Sequence, residues 1–113
     1  NPNIKVAAVE PDTSAVISGE PAGPHKLQGI GAGFIPDTLN TKVIDEIMKI
    51  NTEEAYEAGK ALPREEGFLV GISAGAALAA ATKLAKLPEK KGKNIVVVLP
   101  DSGDRSLSSE MFA

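Results

Sequence analysis

The sequence predicts an α/β fold of three layers, with helices on both faces of a mostly parallel sheet. Short apolar runs alternate with helical patterns in the order strand, loop, strand, helix, strand, helix, strand, and this alternation is typical of parallel α/β folds. The run NIVVVL at residues 94–99 is uninterrupted and apolar, as in strands that are buried on both faces of a parallel sheet. Such folds bind ligands beyond the carboxyl ends of their strands.

The first half of the chain predicts two strands separated by a long loop. The run IKVAAV at residues 4–9 precedes the turn signal EPD and predicts a buried strand. Residues 18–38 are rich in glycine and proline, and a loop of this length in a small domain is commonly functional. The segment 43–50 fits either a helix or a strand, and the cap residues after it favour a strand near Glu46–Ile50.

The helices are predicted by a capping pattern and by alanine. Asn51 and Glu54 have the spacing of a capping box, which predicts a helix over about residues 52–65. Pro63 is expected to end or kink this helix one residue earlier. Ser73 opens the segment AGAALAAATKLAKL, whose alanines predict a second, closely packed helix that ends before Pro88. The run FLV between the two helices predicts a short strand.

Composition and charge exclude several functions. The chain has 113 residues, 42% of them hydrophobic, with a net charge of −3, no cysteine and one histidine. The acidic balance argues against nucleic acid as a partner, and without thiols or clustered histidines no metal site is expected. No apolar stretch reaches the ~20 residues of a membrane span. Because the chain starts at Asn1 without a methionine, it is expected to be a fragment, a processed chain or a trimmed chain.

The turn Gly71-Ile72-Ser73-Ala74-Gly75 is the first candidate site. It has the pattern G-x-S-x-G between an apolar run and a helix, which is the nucleophile elbow of α/β-hydrolases. Such a hydrolase needs a histidine after the serine to take the serine proton. The single histidine, His25, precedes the serine, so a hydrolase is disfavoured.

A ligand site and a purely structural turn both remain open for this segment. A helix N-terminus offers N–H groups and positive potential, and glycines let a flat ligand approach the backbone. A serine hydroxyl can hydrogen-bond a ring nitrogen without carrying charge. Alternatively, Ser73 only caps the helix, and Gly71 and Gly75 only allow close packing.

Alternating glycines mark the long loop as a second candidate site. Gly29, Gly31 and Gly33 lie in mid-loop and are followed by Pro36, so the segment is a poor dinucleotide-binding fingerprint. Its backbone N–H groups are suited to an anion or a carboxylate, in a loop that is able to move. A structural turn is the alternative.

Two charged segments have simpler interpretations from their residues alone. His25 and Lys26 precede the glycine-rich loop and are interpreted as a solvated pair. Asp101, Asp104 and Arg105 follow the last apolar run and are interpreted as a turn with an internal salt bridge. Neither segment has the ligand spacing of a metal site.

Together, these segments resemble the cysteine synthase (O-acetylserine sulfhydrylase) family. VAAVEP, GPHKLQGIGAGFIP, GISAGAAL and NIVVVLPDSGDR stand in this chain in the order they have in that family, and the similarity spans nearly the whole chain. GPHKLQGIGAGFIP is long and specific, and its GIGAGF spelling favours cysteine synthase. GISAG is shared with the related cystathionine β-synthases, so a reaction of that kind is the alternative.

The resemblance implies a two-domain, fold-type-II enzyme that depends on pyridoxal 5′-phosphate (PLP). The implied activity is that of a transferase that makes L-cysteine by β-replacement, in which acetate leaves O-acetylserine and sulfide takes its place. By position, Ser73 matches the residue that hydrogen-bonds the pyridine nitrogen of PLP. Gly71, Pro100 and Asp101 match further contacts of the cofactor.

Substrate and partner contacts are implied by the same resemblance. Gly29, Gly31 and Ala32 match the loop that lines the substrate side of the cofactor. His25 and Lys26 match a surface loop that meets serine acetyltransferase. The full enzyme is expected to be a cytoplasmic homodimer, or organellar where a targeting segment precedes it. A non-catalytic module that docks on the transferase is the alternative of a different class.

The resemblance also implies what this chain lacks. In the family, the lysine that binds PLP covalently, the substrate loop and the phosphate cradle precede the position of Asn1. Residues 1–113 are therefore expected to be the C-terminal portion of the larger, PLP-binding domain, with no catalytic residue and no activity of their own. One departure is Ser106, which stands where the family motif GDRYLS has a tyrosine.

Overall fold

The computed structural model describes residues 3–100 together with Ser102 and Met111. Its regular elements are two strands, β1 (Ala7–Pro11) and β2 (Glu46–Ile50), and two helices, α1 (Thr52–Glu66) and α2 (Ile72–Ala85). Single turns of 3-10 helix lie at Asp12–Ser14, Thr41–Val43 and Pro88–Lys90. The α/β class with parallel strands that the sequence predicts is confirmed.

The two strands pair in parallel, with Ala7 opposite Glu46 and Pro11 opposite Ile50. β1 begins later than predicted, because the backbone of Val6 is engaged by the turn before β2. The Val6 N–H donates to the Asp45 carboxylate at 2.8 Å, and the Val6 carbonyl accepts the Asp45 N–H at 2.8 Å. The predicted strand at residues 4–9 is therefore displaced toward Pro11.

The predictions for β2 and for the start of α1 are confirmed. Asn51 Oδ1 accepts the Glu54 N–H at 2.8 Å, and Glu54 Oε1 accepts the Asn51 N–H at 3.3 Å, which completes the capping box. The expected end of the helix near Leu62 is wrong, because α1 continues to Glu66. A proline in the last turn removes one helix hydrogen bond. Gly67, at φ 79°, closes that turn by donating its N–H to the Pro63 carbonyl at 3.1 Å.

The predicted close packing of the alanine-rich helix α2 is confirmed. A Cβ added at Gly75 would lie far inside 3.0 Å of the Ala55 carbonyl oxygen, and 3.2 Å from the Gly59 Cα. Only a glycine lets the backbones of α1 and α2 approach this closely. The core around this contact consists of Leu27, Ile50, Ala55, Ile72, Ala76, Ala79, Ala80 and Met111.

Two predicted strands do not form among the described residues. Val70 makes only an isolated antiparallel bridge with Ser102, and residues 94–99 contain no strand. Val96 is 90% exposed and Val98 is 73% exposed, so the expected burial on both faces is also wrong. β1, α2 and the segment 93–98 line a groove of about 700 Å³. Within the described part of the chain β1 pairs only with β2, so the apolar run has no neighbouring strand to bond.

Candidate cofactor site

The first turn of α2 carries the buried hydroxyl of the site. Ser73 is 9% exposed, and it follows Ile72, the first helical residue. Gly71 is the N-cap, in extended conformation and without a side-chain cap, so Ser73 is not the residue that caps the helix. The first hydrogen bond of the helix is donated by the Gly75 N–H to the Gly71 carbonyl at 3.0 Å. The N–H groups of residues 72–74 therefore lie outside the helix's own bonding.

The glycine-rich loop lies directly against this turn. A Cβ added at Gly29 would stand 3.3 Å from both Cβ and Oγ of Ser73. Gly29 also has φ 100°, a conformation that favours glycine. The long loop and the 71–75 turn therefore meet at Gly29 and Ser73.

Gly31 lies against the end of β1 and the ring of His25. It has φ 66°, and a Cβ added there would stand 2.5 Å from Pro11 Cγ and 2.6 Å from His25 Nε2. The end of β1 and the imidazole ring thus flank the Gly31 backbone. Ala32, the next predicted substrate contact, is exposed.

The turn after the last apolar run also comes close to α2. Ser102 pairs with Val70 in an antiparallel bridge, and Val70 directly precedes the N-cap of α2. Pro100 is exposed. Four residues named from the sequence lie outside the described part of the chain: Asp101, Asp104, Arg105 and Ser106.

His25 is more than a solvated residue. Its ring is half-buried, with Nε2 2.9 Å from the Gly31 carbonyl oxygen, and its Nδ1 accepts the Leu27 N–H at 3.1 Å. The solvated interpretation is therefore wrong for His25, whereas Lys26 is exposed. These bonds occupy both ring nitrogens with backbone of the same loop.

Two residues that the sequence did not single out support the loop. Leu27 is 1% exposed and anchors the loop in the core. Glu10 is 3% exposed, and its carboxylate accepts the Ile17 N–H at 2.9 Å, the Ser18 N–H at 3.0 Å and the Ser18 hydroxyl at 2.6 Å. A carboxylate that ends an apolar run was the available signal for Glu10, and a lone leucine among polar and glycine residues was the signal for Leu27.

A charged pair joins the two helices at a distance from the site. Lys83 on α2 forms an ion pair with Glu54 on α1. The hydrogen bond from Lys83 is the main cause that lowers the pKa of the Glu54 carboxyl below its usual value, with the Asn51 N–H acting in the same direction. Across the described residues, no group of three His, Cys, Asp or Glu side chains is placed to hold a metal ion. Within the same residues, no helix is long and apolar enough to cross a membrane.

The family of the chain follows from its match to known proteins. The family model "Pyridoxal-phosphate dependent enzyme" matches residues 1–101, so the chain belongs to this family. Cysteine synthase from Staphylococcus aureus is 51% identical over 112 residues, which are 99% of this chain and 36% of that protein. The chain thus spans about a third of the length of the curated relatives it matches.

Solved structures agree with this assignment. Cysteine synthase from Entamoeba histolytica superposes with a TM-score of 0.94 at 46% identity, over 96% of this chain and 32% of that one. O-ureido-L-serine synthase superposes with a TM-score of 0.92 at 36% identity, over 99% of this chain and 35% of that one. The O-acetylserine dependent cystathionine beta-synthase from Helicobacter pylori superposes with a TM-score of 0.83 at 39% identity, over 99% of this chain and 36% of that one.

The described residues fit the cofactor of this family. Gly29 presents bare backbone to Ser73, where a Cβ would make a close contact with the serine side chain. The Ser73 hydroxyl is a neutral group that can donate to or accept from a ring nitrogen. It stands at a helix N-terminus whose N–H groups favour a ligand with acceptor atoms.

Proposed function

We propose that this chain supplies the pyridine side of the PLP site of a cysteine synthase, which makes L-cysteine from O-acetylserine and sulfide. One observation carries the proposal: the buried hydroxyl of Ser73 lies against the backbone of Gly29 in a chain 51% identical to a cysteine synthase. Residues 1–113 form, in this proposal, the C-terminal portion of the larger domain. The covalent lysine and the phosphate cradle belong to the rest of the enzyme.

Each predicted residue has a role in this site. Ser73 hydrogen-bonds the pyridine nitrogen and, being neutral, leaves that nitrogen unprotonated. Gly71 keeps the approach to the ring free of a side chain. Pro100 would supply a further contact of the cofactor, and Asp101, assigned to the same contact by the resemblance, lies outside the described residues. When bound, PLP supplies the electron sink for chemistry at the amino-acid substrate.

The substrate side of the site is formed by the glycine-rich loop. Gly29, Gly31 and Ala32 line it, and their backbone N–H groups are suited to the carboxylate of an amino acid. The bare backbone lets the substrate approach the cofactor closely, and the loop shields the site from water. Binding and orientation are the contribution of these residues, and without the lysine the isolated chain forms no cysteine.

The experiment is a chimera in which these 113 residues replace the aligned segment of the Staphylococcus aureus cysteine synthase. The chimera is expected to bind PLP and to form cysteine from O-acetylserine and sulfide. Ser73→Ala should keep the circular dichroism spectrum, shift the PLP absorbance and lower turnover about tenfold, the equivalent of one hydrogen bond to the ring.

The matched control is Thr82→Ala, which removes an exposed hydroxyl from the same helix, where it donates to the Leu78 carbonyl at 2.9 Å. This control should leave both the absorbance and the rate unchanged. An unchanged PLP spectrum and rate in Ser73→Ala would refute the role of Ser73. A folded chimera without cysteine formation would refute the reaction.

A cystathionine β-synthase-like reaction is the second candidate. The Helicobacter pylori enzyme with that name superposes with a TM-score of 0.83. The two candidates differ in the acceptor, so rates with sulfide and with homocysteine are compared in the chimera. A higher kcat/KM with homocysteine than with sulfide would favour this candidate.

The assembly of the full enzyme is part of the same proposal. We propose a cytoplasmic homodimer that forms a complex with serine acetyltransferase through the surface of His25 and Lys26. Lys26 is exposed, which suits a contact with an acidic segment. In a pull-down with the transferase, Lys26→Ala should weaken capture, and unchanged capture would count against this surface.

A further inference from the structure

The side chain of His25 bridges the turn that presents Gly29 to Ser73. His25 bonds the Leu27 N–H through Nδ1 at 3.1 Å, and its Nε2 lies 2.9 Å from the Gly31 carbonyl oxygen. Gly29 lies between these two backbone groups in the sequence. Within the turn, the Ile30 N–H donates to the Leu27 carbonyl at the longer distance of 3.3 Å. The imidazole therefore bridges the beginning and the end of the segment.

The two bonds select one tautomer of the ring. A backbone N–H is only a donor, so the Nδ1 that faces Leu27 must be an unprotonated acceptor. A carbonyl oxygen is only an acceptor, so the Nε2 that faces Gly31 must carry the proton. The arrangement selects the neutral Nε2–H tautomer of His25.

Rigid groups hold the remaining sides of the turn. Leu27 is buried in the core at 1% exposure, and Pro11 at the end of β1 is fully buried. A Cβ at Gly31 would stand 2.5 Å from Pro11 Cγ and 2.6 Å from His25 Nε2, so this backbone fills the space between them. The ring of His25 bonds the backbone at Leu27 and at Gly31, and this fixes the position of Gly29, between them, against Ser73.

We infer that His25 is a positioning residue, whose neutral Nε2–H tautomer holds the glycine-rich turn against Ser73. The inference rests on the proposed function for its kinetic consequence, since the turn forms the substrate side of the proposed PLP site. His25 itself touches neither substrate nor cofactor in this role. It acts through the backbone of Gly29 and Gly31. Loss of the two His25 hydrogen bonds, which together are called the latch, lowers the affinity for the amino-acid substrate more than it lowers turnover.

Two isosteric substitutions separate the two bonds in the chimeric holoenzyme. His25→Gln places an amide N–H near the position of Nε2 and keeps a donor for Gly31, whereas His25→Asn places an amide oxygen near Nδ1 and keeps only the acceptor for Leu27. His25→Asn is expected to raise KM for O-acetylserine about fivefold, with kcat changed less than about twofold, as for one lost hydrogen bond. His25→Gln loses the bond to the Leu27 N–H, but the buried Leu27 side chain still fixes that end of the turn, so this variant is expected to retain most of the parental KM.

The control is Asn40→Ala. It removes a side-chain acceptor from another loop, where Asn40 Oδ1 accepts the Lys42 N–H at 3.1 Å. KM and kcat should both stay unchanged. An unchanged KM in His25→Asn, or equal effects of Gln and Asn, would overturn the inference, and so would a fall in kcat at constant KM.

A spectroscopic measurement tests the latch independently of activity. The ring nitrogens of His25, identified by their loss in His25→Gln, should show a protonated Nε2 and an unprotonated Nδ1 in long-range proton–nitrogen spectra at neutral pH. The Gly29 and Gly31 amide signals should shift in His25→Asn and not in Asn40→Ala. A protonated Nδ1 would overturn the inference even in an active enzyme. Absence of cysteine formation with the expected tautomer would refute the proposed function and leave the latch standing.

Discussion

The contact between Gly59 and Gly75 gives a prediction that links helix packing to the site. Gly75 faces α1 with no room for a side chain, since an added Cβ would overlap the Ala55 carbonyl oxygen. This neighbour is backbone and cannot turn away. Gly75→Ala must therefore push α2 away from α1, near the first turn of α2 that carries Ser73.

The magnitude follows from two opposing effects. Alanine has a higher helix propensity than glycine by about 1 kcal/mol, which stabilises the variant. Overpacking a close contact costs about 1–3 kcal/mol, and more where backbone must move. The overlap at Gly75 is severe, so a net loss of about 2 kcal/mol in the free energy of unfolding is expected.

Gly59→Ala is the matched variant at the same crossing. Its Cβ would stand 2.6 Å from Met111 Sδ and 3.2 Å from Met111 Cε, atoms of a flexible side chain that can change rotamer. The overpacking cost is then nearly cancelled by the propensity gain, and a net change within about 1 kcal/mol is expected. Urea unfolding of the two variants, in the same background, measures the difference. Equal stability losses, or a stabilised Gly75→Ala, would refute the packing explanation.

Three further predictions concern other parts of the chain. The Glu10 carboxylate accepts three hydrogen bonds, and Glu10→Gln would place an amide N–H donor opposite those donors. This substitution should lower the free energy of unfolding by about 2 kcal/mol. The control Glu20→Gln, in an exposed ion pair with Lys49, should lower it by less than about 1 kcal/mol. The pKa of the Glu54 carboxyl is lowered in the folded state, so the unfolded state binds more protons at pH values between the folded and the unfolded pKa. The stability that Glu54 contributes is therefore complete above the unfolded pKa and is lost as the pH falls through the folded pKa. Glu54→Gln should flatten the acid side of the plot of stability against pH, and an unchanged plot would contradict this prediction. The amides of residues 95–98 should exchange fast with solvent in the isolated chain and slowly in the chimera, and equal rates in both would show that the rest of the enzyme does not cover them.

Much of the helical structure could be predicted from the sequence. The Asn51 capping box starts α1 where the pattern places it, and the alanine-rich segment forms α2 from Ile72. A helix bonds its own backbone groups, so its signals are local. The error at Pro63 is also local, because the rule for helix interiors applies less strictly in a last turn that Gly67 closes.

The site was predictable in its composition and not in its contacts. The GISAG turn and the alternating glycines can be recognised in the sequence, and the resemblance assigned them to one cofactor. That Gly29 lies against Ser73 depends on a contact between residues far apart in the chain. The buried Glu10 and the bonded ring of His25 depend on loop backbone that no local pattern describes.

Strands show why the remaining errors occurred. A strand exists only beside another strand, because its N–H and C=O groups need partners on a neighbouring chain segment. Residues 46–50 pair with β1 in a parallel ladder. The more apolar run at 94–99 has no such partner among the described residues and instead lines, with β1 and α2, a groove of about 700 Å³. Val96 and Val98 are therefore exposed although the composition of the run is that of a buried strand. An apolar run predicts that a segment can join a sheet, and the presence of a neighbouring strand decides whether it does.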